Sequence, residues 1–122
     1  IREFVEPSLS VTGLSIADVD LWAIHPGGKS IIDQAQRSLS LRPEQVRESR
    51  EVLRKYGNMS SVSILFVLAE ILERQTEAGE EKVCAVAFGP GLTVEMALLA
   101  ALRAPSASPD ERSSGKPVAV QA

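Results

Sequence analysis

One histidine, one asparagine and a glycine-rich turn are the residues of this chain best suited to chemistry. His25 is the only histidine among 122 residues and lies in the stretch Trp22-Ala-Ile-His25-Pro-Gly-Gly28. Asn58 lies in Gly57-Asn58-Met59-Ser60-Ser61, and the turn is Phe88-Gly89-Pro90-Gly91-Leu92-Thr93. An imidazole N–H and a side-chain amide are both donors that can hold a developing oxyanion. The residue types therefore suggest a site that stabilises negative charge on an oxygen.

Each of these features also has a purely structural interpretation. A lone histidine beside Trp22 and Ile24 is usually a core residue, Asn58 is suited to cap a helix, and Gly89-Pro90-Gly91 can be a simple turn. The functional interpretation of His25 is favoured by its position after an apolar run, because ligands of open α/β sheets gather at the carboxyl ends of strands. The following glycines would let a backbone or a substrate approach closely.

The elements that must position these residues follow from the hydrophobic pattern. Residues 20–24 form a short apolar run that predicts a buried strand, which Pro26-Gly27-Gly28 ends. From Lys29, apolar residues recur on one face of a helix of about three turns. A second helix is predicted from Pro43 to the Tyr56-Gly57 stop signal, where glycine suits a left-handed C-terminal position.

A third helix and two strands complete the predicted order. The helix begins at the Asn58–Ser61 cap region, and its first half is apolar nearly all round, which predicts a central buried helix. Residues 82–88 form a continuous apolar run, typical of a strand buried on both faces. Residues 92–99 suit either a helix or a strand, and the preceding two-glycine turn favours an antiparallel strand.

Composition narrows the classes of function. The net charge is −3 and no basic block occurs, so we expect no nucleic-acid partner. Apolar runs such as residues 64–69 are far shorter than the ~20 residues that span a bilayer, so we expect no membrane partner. The single cysteine, Cys84, excludes an intrachain disulfide framework, and its place inside an apolar run predicts a core residue. We expect a reducing, cytoplasmic setting and no metal site.

The predicted fold is α/β, with helices packed on a mixed sheet. Residues 1–103 form the expected domain, and residues 104–122, rich in Pro and Ser, form an expected flexible tail. Three strands make a poor sheet on their own, so we expect further strands upstream. The chain begins Ile-Arg-Glu without an initiator Met or a visible signal peptide, which suggests a fragment or a processed piece.

The three motifs together resemble the C-terminal part of type III polyketide synthases, the chalcone and stilbene synthase family of the thiolase-like superfamily. The connecting stretches Ile32-Asp33-Gln34 and Arg50-Glu-Val-Leu-Arg-Lys-Tyr-Gly57 are also similar, so the resemblance covers roughly residues 4–102. One departure is Ala87, which precedes Phe88 where the family has a glycine. The resemblance implies the C-terminal portion of a thiolase-like layered fold.

The resemblance also implies an activity and the residues that perform it. His25 and Asn58 would belong to a Cys-His-Asn triad whose cysteine lies in a missing N-terminal half, because Cys84 does not match its position. The implied reaction is decarboxylative condensation of malonyl-CoA onto an acyl starter held on that cysteine. Coenzyme A thioesters would be substrates, with no permanently bound cofactor, and the complete enzyme would be a homodimer. The implied substrate and pocket residues are Gly27, Gly28, Lys29, Ser30, Ser60, Phe88, Gly89, Pro90 and Gly91.

Two other interpretations stay open at the level of sequence. A ketoacyl synthase III-like condensing enzyme would share the histidine and the asparagine, although the sequences around His25 and Gly91 resemble the polyketide family more. A non-catalytic subunit that binds coenzyme A or pairs with a separate N-terminal subunit is the other alternative. The starter acyl group, the number of extensions and the cyclisation are not encoded in these motifs.

Overall fold

A computed structural model of the chain describes residues 1–74, 79–91 and 93–102, and the predicted tail lies outside these ranges. The described ranges contain four helices and three strands, and short 3₁₀ turns cover residues 16–18, 43–46 and 60–62. The helices are α1 (Arg2–Ser10), α2 (Lys29–Leu39), α3 (Arg47–Tyr56) and α4 (Ser63–Arg74). The strands are β1 (Leu21–Ile24), β2 (Glu80–Gly89) and β3 (Thr93–Leu102). The predicted sequence of elements is confirmed, with α1 in addition at the start.

The strands form one mixed sheet in the order β1-β2-β3. β1 runs parallel to β2, with Ile24 opposite Val86, and β3 runs antiparallel to β2, with Glu95 opposite Ala87. The parallel pairing brings the carboxyl ends of β1 and β2 to one edge of the sheet. The antiparallel interpretation of the last segment is therefore confirmed, and its turn lies at the same edge as His25.

Apolar side chains cover both faces of the sheet because successive residues of a strand point to opposite sides. On one face, Trp22 and Ile24 pack with buried residues of α1 and α2, including Leu9 and Ile32. On the other face, Leu21 and Ala23 pack with Val52 of α3 and with Val67 and Ile71 of α4. The predicted arrangement of helices on a mixed sheet is confirmed, and Cys84 is a buried core residue as predicted.

The prediction that α4 is buried all round is wrong for the part of the chain that the structure describes. Its buried residues are Ser63, Val67 and Ile71, which form one face against the sheet and α3. Leu65, Phe66 and Leu72 are 60%, 38% and 54% exposed. A helix that is apolar on every side can be buried on every side only if other elements pack around it. In the described ranges, the sheet and α3 cover one side of α4.

Side chains, rather than a further strand, occupy the outer edge of β1. The Ser49 hydroxyl of α3 is buried and accepts a hydrogen bond of 2.9 Å from the Ile24 backbone N–H. The Gln45 amide donates to the Val19 carbonyl oxygen at 3.1 Å, just before the strand begins. These bonds satisfy backbone groups that would otherwise be buried without partners. They fix β1, and therefore His25, relative to α3.

None of the helices in the described ranges is long and apolar enough to cross a membrane.

Candidate active site

A cleft of about 630 Å³ opens at the edge of the sheet where β1 and β2 end. Four parts of the chain line it: the residue after β1, the loop before α4 with the first turn of α4, the end of β2, and the start of β3. The lining residues are His25, Asn58, Ser60, Ser61, Ile64, Ala87, Phe88, Gly89, Thr93 and Glu95. The fold thus brings His25, Asn58 and the end of β2 together from positions more than thirty residues apart in sequence.

His25 directly follows the C-terminal end of β1, beside the end of β2. Its backbone N–H donates to the Val86 carbonyl oxygen at 2.8 Å, which extends the β1–β2 ladder by one residue. The Gly27 N–H then donates to the His25 carbonyl oxygen at 2.9 Å and turns the chain. A Cβ atom at Gly27 would lie 3.6 Å from the His25 Cδ2 atom, so the imidazole packs directly over this glycine. The backbone of His25 is therefore fixed by hydrogen bonds, and its imidazole ring lies over a residue without a side chain.

Partial burial lowers the pKa of His25 below its ordinary value of 6.5. Burial removes water from the imidazolium, and a charged ring loses more solvation than a neutral one. The imidazole is therefore neutral at pH 7, with one nitrogen as a donor and the other as an acceptor. A neutral imidazole N–H can donate a hydrogen bond without carrying a full positive charge into the cleft.

The pH titration of His25 should show this shift directly. Because it is the only histidine, one imidazole signal reports it, and we expect an NMR titration midpoint below 6.5 in the folded chain. The unfolded chain binds this proton more tightly, so His25 has no effect on stability above about pH 6.5 and lowers stability as the pH falls below it. Titration in urea gives the unfolded control. A folded midpoint at or above the unfolded one would contradict the prediction.

Asn58 joins the loop of His25 to the loop before α4. Its Nδ2 donates to the Gly27 carbonyl oxygen at 3.2 Å, and its Oδ1 accepts from the Ser60 N–H at 2.8 Å. A flipped amide would place donor against donor at Ser60, so the two bonds define the orientation of the side chain. The amide has two N–H groups, and one remains for a ligand in the cleft. Asn58 thus does not cap α4, which begins at Ser63; its Oδ1 holds the first residue of the 3₁₀ turn at residues 60–62.

Two residues close to Asn58 have positive φ angles. Gly57 has φ 69° and ψ −165°, a conformation that is essentially restricted to glycine. Ser60 has φ 61°, which is uncommon for a residue with a side chain. The Met59 N–H donates to the Ser63 hydroxyl at 2.7 Å and holds the loop against the start of α4. The loop is thus constrained on both sides of Asn58, as is common where a side chain must be held in one place.

The turn between β2 and β3 forms one wall of the cleft. Phe88 and Gly89 line the cleft, whereas Pro90 and Gly91 are exposed in the turn and lie outside the cleft lining. A Cβ atom on Gly89 would lie 3.3 Å from the Thr93 Cβ, so the strands approach closely here because Gly89 lacks a side chain. The Thr93 hydroxyl donates to the Pro90 carbonyl oxygen at 3.1 Å. The wall is therefore a tight hairpin end.

The other predicted pocket residues lie beside the cleft, outside its lining. Gly28 precedes α2, and Lys29 and Ser30 form the exposed first turn of that helix. Lys29 lines a separate groove with Arg50 and Arg54 of α3. Of the predicted residues, His25, Asn58, Ser60, Phe88 and Gly89 therefore line the cleft, and the others lie in the adjoining turns and at the start of α2.

Five cleft residues were not among the sequence-based candidates: Ser61, Ile64, Ala87, Thr93 and Glu95. Ser61, Ala87 and Thr93 lie inside or next to the quoted motifs, so proximity to a motif was a usable signal for them, and Ile64 follows Ser61 in the first turn of α4. Glu95 is different, because its place in the cleft depends on β3 being a strand with Glu95 opposite Ala87. The sequence favoured a strand here but gave no register, so it could not place Glu95 beside Ala87.

Comparison with known proteins places these features in a family. A profile described as chalcone and stilbene synthases, C-terminal domain, matches residues 1–103. The chain is 50% identical over 93 residues to the alpha-pyrone synthesis polyketide synthase-like Pks18 of Mycobacterium tuberculosis and of Mycobacterium bovis. It also resembles the crystal structure of PKS-I from the brown alga Ectocarpus siliculosus, with a TM-score of 0.72 and 38% identity over 80% of the chain.

The matched region is a small part of these relatives. The Pks18 match covers 75% of the present chain and 23% of Pks18. The match to PKS-I covers 27% of that protein. The chain thus spans about a quarter of the length of the relatives that it resembles.

Proposed function

Because the chain belongs to the chalcone and stilbene synthase family, we propose that it provides the oxyanion-binding part of a decarboxylative condensation that builds polyketides. The observation that carries this proposal is the shared cleft of His25 and Asn58, in which Asn58 is bonded to the loop that holds His25. Malonyl-CoA is the proposed extender, and an acyl-CoA thioester is the proposed starter. Both bring coenzyme A as a carrier, and the proposal needs no permanently bound cofactor or metal.

The proposed nucleophile is a cysteine in an N-terminal half that this chain does not contain. Cys84 cannot take this role, because it is fully buried in the core and burial raises the pKa of its thiol to about 12. A nucleophilic cysteine requires a thiolate, which forms at exposed, electropositive positions. In the first step the cysteine thiolate attacks the starter thioester, the carbon–sulfur bond to coenzyme A breaks, and an acyl-enzyme forms while coenzyme A leaves as its thiolate.

In the second step His25 and Asn58 would act on malonyl-CoA together. Cleavage of the bond to the carboxylate releases CO₂ and moves its electron pair into an enolate, so negative charge develops on the thioester oxygen. The neutral His25 N–H and the free Asn58 N–H are donors for that oxygen, and such donors are most effective where charge appears. The enolate carbon then attacks the acyl-cysteine carbonyl, and the cysteine leaves again as a thiolate.

The remaining predicted residues receive roles around this centre. Gly27 and Gly28 leave room for the pantetheine arm, and Lys29 and Ser30 at the start of α2 would meet the coenzyme A side of the substrate. Ser60, Phe88 and Gly89 would contact the acyl chain, and Pro90 and Gly91 would hold the hairpin that shapes this wall. We also propose that the complete enzyme is a cytoplasmic homodimer, as the family resemblance implies.

Product formation from labelled malonyl-CoA tests the proposal. With a starter acyl-CoA, this chain alone should form no labelled polyketide, because it lacks the nucleophile. The same chain joined to, or mixed with, an N-terminal half that carries a reactive cysteine should form it. A Cys84→Ala variant of the active form should keep its product, which makes it the matched thiol control.

Two results would contradict the proposal. Labelled polyketide from the chain alone would show that the nucleophile is within it. Coenzyme A binding without any condensation, even with the cysteine-bearing half present, would instead favour a binding subunit.

A further inference from the structure

A second groove, of about 280 Å³, lies between the start of α2 and the second half of α3. It is lined by Lys29, Arg50, Leu53 and Arg54. Three of these four side chains end in a cation, whereas the chain as a whole has a net charge of −3. Leu53 is partly buried and packs against the core, so the groove combines a fixed apolar side chain with the cations. Such a composition suits an anion that also carries an apolar or aromatic group.

The three cations of the groove are held to different degrees. The Arg50 guanidinium donates to the Asp33 carboxylate at 2.7 Å, which fixes it between α2 and α3. Arg54 donates to Glu51 at 2.9 Å, but its side chain is 68% exposed, and ion pairs at such positions contribute little. Lys29 is exposed at the start of α2. Three cations and the two bonded carboxylates leave an excess of one positive charge among these described residues.

Both walls of the groove lead along the chain into the loops that line the cleft. Lys29 follows His25 by four residues, so their Cα atoms are at most ~15 Å apart. Arg54 lies in the last turn of α3, shortly before Asn58, which donates to the Gly27 carbonyl oxygen at 3.2 Å. In coenzyme A thioesters the pantetheine arm separates the reactive carbonyl from the nucleotide. A thioester in the cleft therefore places its nucleotide outside the cleft, within reach of the arm.

We infer that this groove binds the nucleotide end of coenzyme A. Lys29 and Arg54 donate to its phosphate groups, because ammonium and guanidinium groups form charge-assisted hydrogen bonds with phosphate. Arg54 exchanges the Glu51 carboxylate for a phosphate, and Leu53 contacts the adenine ring. The inference rests on the proposed function, since it takes the thioester to lie in the cleft. It assigns Arg54 and Leu53 to substrate binding, although neither lines the cleft.

Acylation of the proposed cysteine by two starters tests this inference. Butyryl-CoA and butyryl-pantetheine carry the same thioester, and the second compound lacks the nucleotide. Intact-mass spectrometry of the complete synthase measures the acylation rate at low starter concentration, without malonyl-CoA. Lys29→Gln and Arg54→Gln should each slow acylation by butyryl-CoA about three- to fivefold, as expected for the loss of an exposed charge pair. Both variants should keep the rate of the unmodified protein with butyryl-pantetheine.

Lys55→Gln and a salt series provide the controls. Lys55 follows Arg54 in α3 and is also exposed, but it donates to Glu70 of α4 at 2.9 Å and lies outside the groove lining. Lys55→Gln therefore removes the same charge from a neighbouring position and should keep both rates. Raising the salt concentration should reduce the advantage of butyryl-CoA in the unmodified protein more than in the double variant of Lys29 and Arg54, because salt screens charges.

The outcomes separate the inference from the proposed function. If both groove variants keep the rate with butyryl-CoA, or slow both starters equally, the inference is wrong and the proposed function stands, since the acyl-enzyme still forms. If neither starter acylates the unmodified synthase, the proposed function fails and the inference fails with it. Slower acylation by butyryl-CoA alone, in both groove variants and not in Lys55→Gln, supports nucleotide binding in the groove.

Discussion

Replacing His25 or Asn58 by Ala in the complete synthase is expected to slow the decarboxylation of malonyl-CoA by about 10²- to 10³-fold for each substitution. Each change removes one donor for the thioester oxygen while the cleft wall formed by β2 and β3 remains. Asn58→Ala also breaks the bond to the Gly27 carbonyl oxygen, so it should disturb the His25 loop in addition. Release of labelled CO₂ from carboxyl-labelled malonyl-CoA measures the step, apart from chain extension.

A double variant adds a sharper criterion. If both donors hold one oxygen, the combined loss should be smaller than the product of the two single losses, because residues that act as a unit are not additive. Gln34→Ala, which removes an exposed amide from α2 outside the cleft, is the control and should keep the unmodified rate. Full decarboxylation in either single variant would exclude that residue from the site.

Replacing Trp22 by Ala should lower the free energy of unfolding by about 3–5 kcal/mol. Trp22 is fully buried in β1 and belongs to the core that joins the sheet to α1 and α2. Domains are typically stable by only about 5–15 kcal/mol, so this change removes a large share of the total. Since Trp22 is the only tryptophan, far-UV circular dichroism in urea, and not fluorescence, should follow the unfolding.

Trp22→Phe is the matched control for that measurement. In the described structure the Trp22 Nε1 is buried without a hydrogen-bond partner, so the change deletes an unsatisfied donor while it keeps an aromatic ring. A buried unpaired donor is itself costly, which offsets part of the lost packing. We expect less than half of the destabilisation of Trp22→Ala. Equal losses in the two variants would show that packing of the full indole, and not ring burial alone, sets the stability.

The sequence predicted the elements around His25 because their signals are local. An apolar run, a Pro-Gly-Gly break and a helical spacing from Lys29 each depend on residues close in the chain. The position of Phe88 near His25 required the parallel pairing of β1 with β2, and the position of Asn58 required its bond to the distant Gly27 carbonyl oxygen. No local pattern contains either contact. The family resemblance predicted that these residues share one site. The strand pairing gives the physical reason why Phe88 lies near His25.

The errors and omissions concern side chains whose environment is set by distant neighbours. Leu65 and Phe66 are apolar, and composition alone assigned them to a core that the described elements do not provide. Glu95 was missed because its facing partner, Ala87, is known only from the strand register. Lys29 and Ser30 were grouped with the cleft, although the start of α2 points them to a different groove or to the surface.

The hydrogen bond from the Ile24 N–H to the Ser49 hydroxyl has a consequence for self-association. Exposed sheet edges invite strands of other copies, and proteins block them to avoid aggregation. With Ser49 and Gln45 bonded to backbone groups at and just before β1, an incoming strand would find those groups already satisfied. A Ser49→Ala variant would therefore leave the buried Ile24 N–H without its partner, and we expect it to lower the free energy of unfolding. Ser49 and its helix thus cover the edge of β1 at which a strand of another copy would otherwise pair.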